Sequence, residues 1–297
     1  MNFTKIQGTG NDFILINCLQ NNKITDFHKT AHNLCDRHFG IGGDGLIVIL
    51  PPQKNMNDYQ MRIFNNDGSE AEMCGNGIRC FAHYLYTNKI TDKKKLNIET
   101  KAGIIKPQII NHRNNSSIIK VNMNQPEFAL EKIPIKVNDS HLEFINDYEV
   151  TLKKHKFKIN CVSMGNPHTI IFTDNVDKYE LDLWGKKIEN HKLFPEKTNV
   201  EFVEIISRDE IKMKVWERGT GITLACGTGA SASVVAGIKK GYLADKVLVH
   251  LPGGDLVIEW SGEDVFMTGP SKEVFTGEVD IKDIDSVLEG NVVEHIV

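Results

Sequence analysis

The sequence predicts an α/β (α+β) fold made of two homologous domains that face one another across a cleft. Three observations carry that expectation. The chain has 297 residues, enough for two domains of ordinary size. It matches itself without a gap over a segment that ends, in both copies, in Cys-Gly-polar-Gly. Each copy also turns from strand-like to helix-like periodicity at the same point.

The self-match runs from Met61 to Gly77 and from Met213 to Gly229, at an offset of 152 residues. Methionine meets methionine, Arg62 meets Lys214, Ile63 meets Val215, Phe64 meets Trp216 and Cys74 meets Cys226. Gly10-Asn11 corresponds in the same order to Gly165-Asn166, and Asp44-Gly45 to Asn199-Val200. Each of these shorter matches lies beside an apolar, strand-like run.

Taken in order, residues 27–38 are helix-like and lead through a glycine-rich loop into the strand-like LIVIL at 46–50. Gln60–Phe64 and Lys212–Trp216 read as short strands. Ile78, Phe81, Ala82 and Leu85 recur at helical spacing, and so do Ala230, Val234 and Ile238. The second helix closes on Lys239-Lys240-Gly241, a cationic last turn with a glycine stop. VLVHL-PGGD-LVIEW reads as a hairpin, and a turn at Ser261–Asp264 leads into a further strand. The polar run at 112–117 reads as the linker. Residues 1–117 with 273–297 then form one half and 118–272 the other. The loop Gly40–Gly45 spells G-x-G-x-x-G but follows a helix and opens a strand, the reverse of the dinucleotide-binding context.

Composition narrows the function. A net charge of -4, with no basic stripe, excludes a dedicated nucleic-acid or membrane-surface binder. The N-terminus has no signal-like pattern and no apolar run approaches membrane-spanning length, so a soluble cytoplasmic protein is expected. The six cysteines contain no C-x-x-C, and their spacing suits neither a disulfide scaffold nor a zinc site, so no metal is expected. Cys18, Cys35, Cys80 and Cys161 read as packing residues.

Cys74 and Cys226 differ because each sits at a glycine-flanked helix start. A free thiol has a pKa of about 8.5, and lowering it by about 1.5 units takes roughly 2 kcal/mol. A helix N-terminus supplies up to about that much in partly buried surroundings. The amides of Gly75-Asn76 and Gly227-Thr228 are free to bind a carboxylate there. Two thiols related by pseudo-symmetry suit inversion of a stereocentre, where a base acts on one face and an acid on the other. The helix ends would stabilise the developing enolate. No lysine lies in a pyridoxal-phosphate context, and the scheme needs no cofactor.

NDFILIN, GGDGLI, FNNDGSEAEMCGNGIRC, GNPHTI, TNVEF, ERGTGITLACGTGASA and VFTGEV together resemble diaminopimelate epimerase, in order and over nearly the whole chain. The resemblance implies two pseudo-symmetric domains, each a mixed or antiparallel barrel-like sheet around a central helix. The final strand returns to the first domain, and the active site lies in the inter-domain cleft. It implies interconversion of LL- and meso-diaminopimelate in lysine and peptidoglycan-precursor biosynthesis. Cys74 and Cys226 would be the catalytic pair, with Gly75, Asn76, Gly227 and Thr228 on the reacting carboxylate. Asn65, Asn166, Asn199 and Arg218, with Glu217 nearby, would hold the distal amino-acid end. Asn11 and His168 would complete the surroundings of the reacting centre, and His168 and Glu217 would support catalysis. Some family members carry Gln where this chain has Gly45, so any contact there comes from backbone. A homodimer follows from the resemblance only.

Three other readings compete. A proline or hydroxyproline racemase would share the fold, but its substrate has no second carboxylate for Asn65, Asn199 and Arg218. A thiol redox protein would use the cysteines as a disulfide. An amino-acid-binding protein would explain the carboxylate sites but not a thiol at both helix starts.

Overall fold

The computed structural model describes residues 1–20, 24–137, 142 and 144–280. The chain divides into two units, one of residues 1–121 with 270–297 and the other of residues 122–269. Of the segment 273–297 assigned to the first half from sequence, 281–297 lie outside the described residues.

The first unit opens with β1 (Asn2–Gly8) and β2 (Asn11–Asn17), joined by a two-residue turn at Thr9 and Gly10. Both turn residues have positive φ, 57° and 80°, the geometry that matches the twist of a tight hairpin. Helix α1 (Phe27–Cys35) follows, then β3 (Gly45–Leu50), β4 (Tyr59–Asn65), β5 (Glu70–Ala71) and helix α2 (Gly75–Thr87). The unit continues through β6 (Ile98–Thr100), β7 (Gly103–Ile105), β8 (Gln108–Arg113) and β9 (Ser116–Asn122). Strand β2 is antiparallel to β1 and parallel to β3, and β4 is antiparallel to β3 and parallel to β6.

Helix α2 packs on β1, β2, β3, β4 and β8, whereas α1 packs on β3 and β4. Strand β3 between them is buried on both faces, which is why LIVIL is an unbroken apolar run. One face, with Ile14, Ile16, Leu46, Val48 and Phe64, joins Ala31 and Leu34 of α1 in a single core. The polar run 112–117 is not a linker. It forms the tip of the β8–β9 hairpin, with Arg113 opposite Ser116 and Asn114 at φ 56°.

The second unit repeats the order. Strands β10 (Tyr148–Leu152), β11 (His155–Ser163) and β12 (Pro167–Thr173) precede helix α3 (Leu181–Glu189). Then come β13 (Asn199–Ser207), β14 (Glu210–Glu217), β15 (Gly221–Thr223) and helix α4 (Gly227–Lys239). Strands β16 (Lys246–Leu251) and β17 (Gly254–Glu259) complete it, and β18 (Phe266–Glu278) starts in it and passes at Pro270 into the first unit. The pairing pattern is that of the first unit: β12 is antiparallel to β11 and parallel to β13, and β14 is antiparallel to β13 and parallel to β16. Helix α4 packs on β11, β12, β13 and β17, and α3 on β13, β14 and β15. Strand β18 begins by pairing with β17 and ends by pairing with β1 of the first unit. Among the described residues no helix is long and apolar enough to cross a membrane.

Candidate active site

Both expected catalytic cysteines are helix N-caps. Cys74 has extended backbone (φ -138°, ψ 121°), and its sulfur accepts from Gly77 N at 3.4 Å. Cys226 has φ -125° and ψ 111°, and its sulfur accepts from Gly229 N, also at 3.4 Å. In each case a thiol replaces the usual Ser or Asp oxygen as acceptor of a first-turn amide. The helices that follow each have 13 residues, so the repeat persists from sequence into cap geometry.

In the first unit the β1–β2 turn delivers Asn11 to Cys74. The thiol lies 3.7 Å from Asn11 Oδ1, which also accepts from Asn76 Nδ2 at 3.2 Å. Behind Asn11 stands a charged cluster. Asp44 accepts from Asn11 Nδ2 at 2.7 Å and from Arg37 at 2.9 Å. Asp12 accepts from Arg37 at 2.7 Å and pairs with Lys5 at 2.5 Å. Burial alone would raise the Asp12 carboxyl, but Arg37 and Lys5 outweigh it and hold it at about 2. Arg79, fully buried one turn into α2, donates to Gly75 O at 3.2 Å and Thr9 Oγ1 at 2.7 Å. Asn65 is exposed at the end of β4 and donates to Ser69 Oγ at 2.9 Å. A Cβ on Gly45 would lie 2.5 Å from Phe64 O, so this backbone has no room for a side chain there.

In the second unit the turn at Gly165 places Asn166 beside Thr228, Nδ2 to Oγ1 at 3.4 Å, and Thr228 Oγ1 is 3.4 Å from the Cys226 sulfur. His168 is fully buried behind Asn166, with Nε2 at 3.1 Å from its Oδ1. Its other nitrogen is 2.6 Å from Glu201 Oε1, a partner that was not singled out from sequence. Asn199 braces two loops: it donates to Pro167 O at 2.8 Å and accepts from Arg218 N at 2.9 Å. Arg218 is exposed, with one guanidinium nitrogen 3.2 Å from Glu196 O. Thr223 donates to the Glu217 carboxyl at 2.5 Å. Burial raises Glu217, against the hydrogen bonds from Thr223 and Cys226. Burial, then the charges of Glu217 and Glu201, pushes the Cys226 thiol well above its ordinary value.

The other cysteines are buried, and burial pushes Cys35, Cys80 and Cys161 up to about 12 and raises Cys18. Burial of this kind disfavours the thiolate and suits a packing role. Among the described residues no group of three or more His, Cys, Asp or Glu is placed to hold a metal ion.

The family model for diaminopimelate epimerase matches residues 3–129 and 160–274. The chain belongs to the diaminopimelate epimerase family. It is 58% identical over 283 residues to diaminopimelate epimerase of Halothermothrix orenii, covering 95% of this chain and 99% of that one. It is 49% identical over 288 residues to diaminopimelate epimerase of Agathobacter rectalis, covering 95% and 100%. A solved hydroxyproline epimerase from Agrobacterium vitis shares the fold, with a TM-score of 0.64 at 15% identity over 94% of this chain and 90% of that one. The family makes the chain an isomerase that acts as an amino-acid epimerase.

Proposed function

We propose that this epimerase interconverts LL- and meso-diaminopimelate with two thiols, Cys74 and Cys226, and no cofactor, in lysine and peptidoglycan-precursor biosynthesis in the cytoplasm. The observation that carries the reading is the pair of N-caps. Two equivalent helices begin on a cysteine whose sulfur accepts a first-turn amide, and a structural cysteine has no reason to recur in that role.

Removal of the α-proton puts negative charge on the substrate carboxylate. The amides of Gly75 and Asn76, and of Gly227 and Thr228, lie in the first turns of α2 and α4 and suit that charge. One sulfur, as thiolate, takes the α-proton while the other, as thiol, delivers a proton to the opposite face. The roles exchange in the reverse direction.

Asn65, Asn166 and Arg218 bind the distal amino-acid end, with Asn199 holding the Arg218 backbone in place and Glu217 favouring the ammonium. Arg218→Met tests that specificity. It should raise KM for diaminopimelate by at least tenfold while kcat changes less. An unchanged KM would remove Arg218 from the substrate site.

A further inference from the structure

Glu201 lies on β13 between Val200 and Phe202, fully buried, and the two-thiol scheme gives it no task. An ionised carboxylate at such a depth requires a partner or a proton. Its Oε1 is 2.6 Å from His168 Nδ1, and both side chains have no exposed surface. Its Oε2 has no hydrogen-bond partner among the described residues.

The remaining contacts of His168 decide where the protons are. Nε2 faces Asn166 Oδ1, an atom that can only accept, so Nε2 carries a hydrogen. Nδ1 and Glu201 Oε1, 2.6 Å apart, must then have one further proton between them to be hydrogen-bonded, because with Nε2–H a neutral ring has only a lone pair at Nδ1. Asn166 in turn points Nδ2 at Thr228 Oγ1, which leaves the threonine hydroxyl to donate to the Cys226 sulfur. Every hydrogen bond from His168 outward then runs toward Cys226.

We propose that Glu201 is a positioning residue: by holding a proton against His168 Nδ1 it keeps a hydrogen on Nε2 and so sets the sense of the His168–Asn166–Thr228 chain, which ends in a donor at the Cys226 sulfur and favours the thiolate. A neutral ring with a bare Nε2 would turn the Asn166 amide round, and the sulfur's own proton would then be held toward Thr228. The inference rests on the reading of Cys226 as an acid/base group.

Other charged or titratable groups bear on the dyad from each neighbouring element. Glu217 on β14 interacts with His168, Glu201 and Cys226, and Cys161 on β11 with Glu201. The charge of a Glu201 carboxylate opposes a thiolate at Cys226, so the chain favours the thiolate only while a proton sits between Glu201 and His168 Nδ1. Gly229 makes the arrangement possible, because a Cβ there would come within 2.6 Å of Glu201 Oε1.

The test follows ionisation of Cys226 by thiolate ultraviolet absorbance, as the difference between the Cys74→Ala chain and the Cys74→Ala/Cys226→Ala chain, with and without Glu201→Gln. Glu201→Gln should raise the Cys226 midpoint by about one pH unit, and Glu201→Asp should restore part of the shift. An unmoved midpoint in a folded Glu201→Gln protein overturns the proposal, since a merely structural role would lower the melting temperature alone. Should that variant not fold, nitrogen NMR of ring-labelled wild-type protein decides at neutral pH. A hydrogen on His168 Nε2 supports the proposal, and a bare Nε2 overturns it. If Cys226→Ala keeps full turnover, the acid/base reading fails whatever the midpoint does. If it loses turnover while the midpoint is unmoved, only the role of Glu201 fails.

Discussion

Asp44 Oδ2 accepts a hydrogen bond from Asn11 Nδ2 at 2.7 Å, and this fixes which end of the Asn11 amide meets Cys74. The carbonyl oxygen is left facing the sulfur at 3.7 Å, an acceptor that favours the protonated thiol. At Cys226 the corresponding neighbour is the Thr228 hydroxyl at 3.4 Å, which can donate. The two sulfurs thus have unlike surroundings, and at Cys226 burial, then the charges of Glu217 and Glu201, work against the thiolate that the Thr228 hydroxyl favours.

Asp44→Ala should leave Asn11 free to turn its amide away. A hydrogen bond to a charged group contributes about 1.5–3 kcal/mol, so kcat should fall by about ten- to a hundredfold with a smaller change in KM. Steady-state kinetics on protein of unchanged melting temperature checks this. Wild-type kcat would show that Asn11 holds its orientation without Asp44.

Gly229→Ala should impair both stability and turnover. Its Cβ would meet Glu201 Oε1 at 2.6 Å and the Cys226 sulfur at 3.3 Å, so the buried Glu201 carboxyl would have to shift. Overpacking of this kind costs about 1–3 kcal/mol, which thermal melting would register. An unchanged melting temperature would mean that Glu201 moves freely.

Acid should weaken the first unit through Asp12, whose carboxyl is held at about 2 from an ordinary 3.8. A depressed carboxyl stabilises the fold fully above its unfolded value and ceases to do so as pH falls through the folded one. The contribution is on the order of 2 kcal/mol at neutral pH and is lost between about pH 4 and 2. Asp12→Asn should be less stable at neutral pH and flatter over that interval in denaturant titrations. A wild-type-like acid limb in the variant would assign the loss to other carboxyls.

The doubled architecture was legible because Cys74 and Cys226 terminate turns of equal length and open helices of equal length, so the periodicities change at matching positions. Glu201 was not legible. A Glu between Val200 and Phe202 reads as the solvent side of an alternating strand, yet Asn199–Val203 is buried on both faces because α3 and α4 pack on β13. Val200 and Phe202 join the core under α3, and Glu201 meets the first turn of α4. Asp44 was missed for a related reason: an Asp among glycines looks like turn chemistry, and its link to Asn11 spans 33 residues. Residues 112–117 looked like a linker because a hairpin tip and a linker share the same polar composition.

The central claim is that both cysteines move the α-proton of diaminopimelate. The most direct measurement is incubation of reduced wild-type protein, Cys74→Ala and Cys226→Ala with LL-diaminopimelate in D2O, following α-deuterium and meso product by NMR and chiral chromatography. Wild type should give deuterated meso product, and each variant should lose at least about a hundredfold in turnover. Meso product formed at the wild-type rate by either folded variant would contradict the two-thiol account.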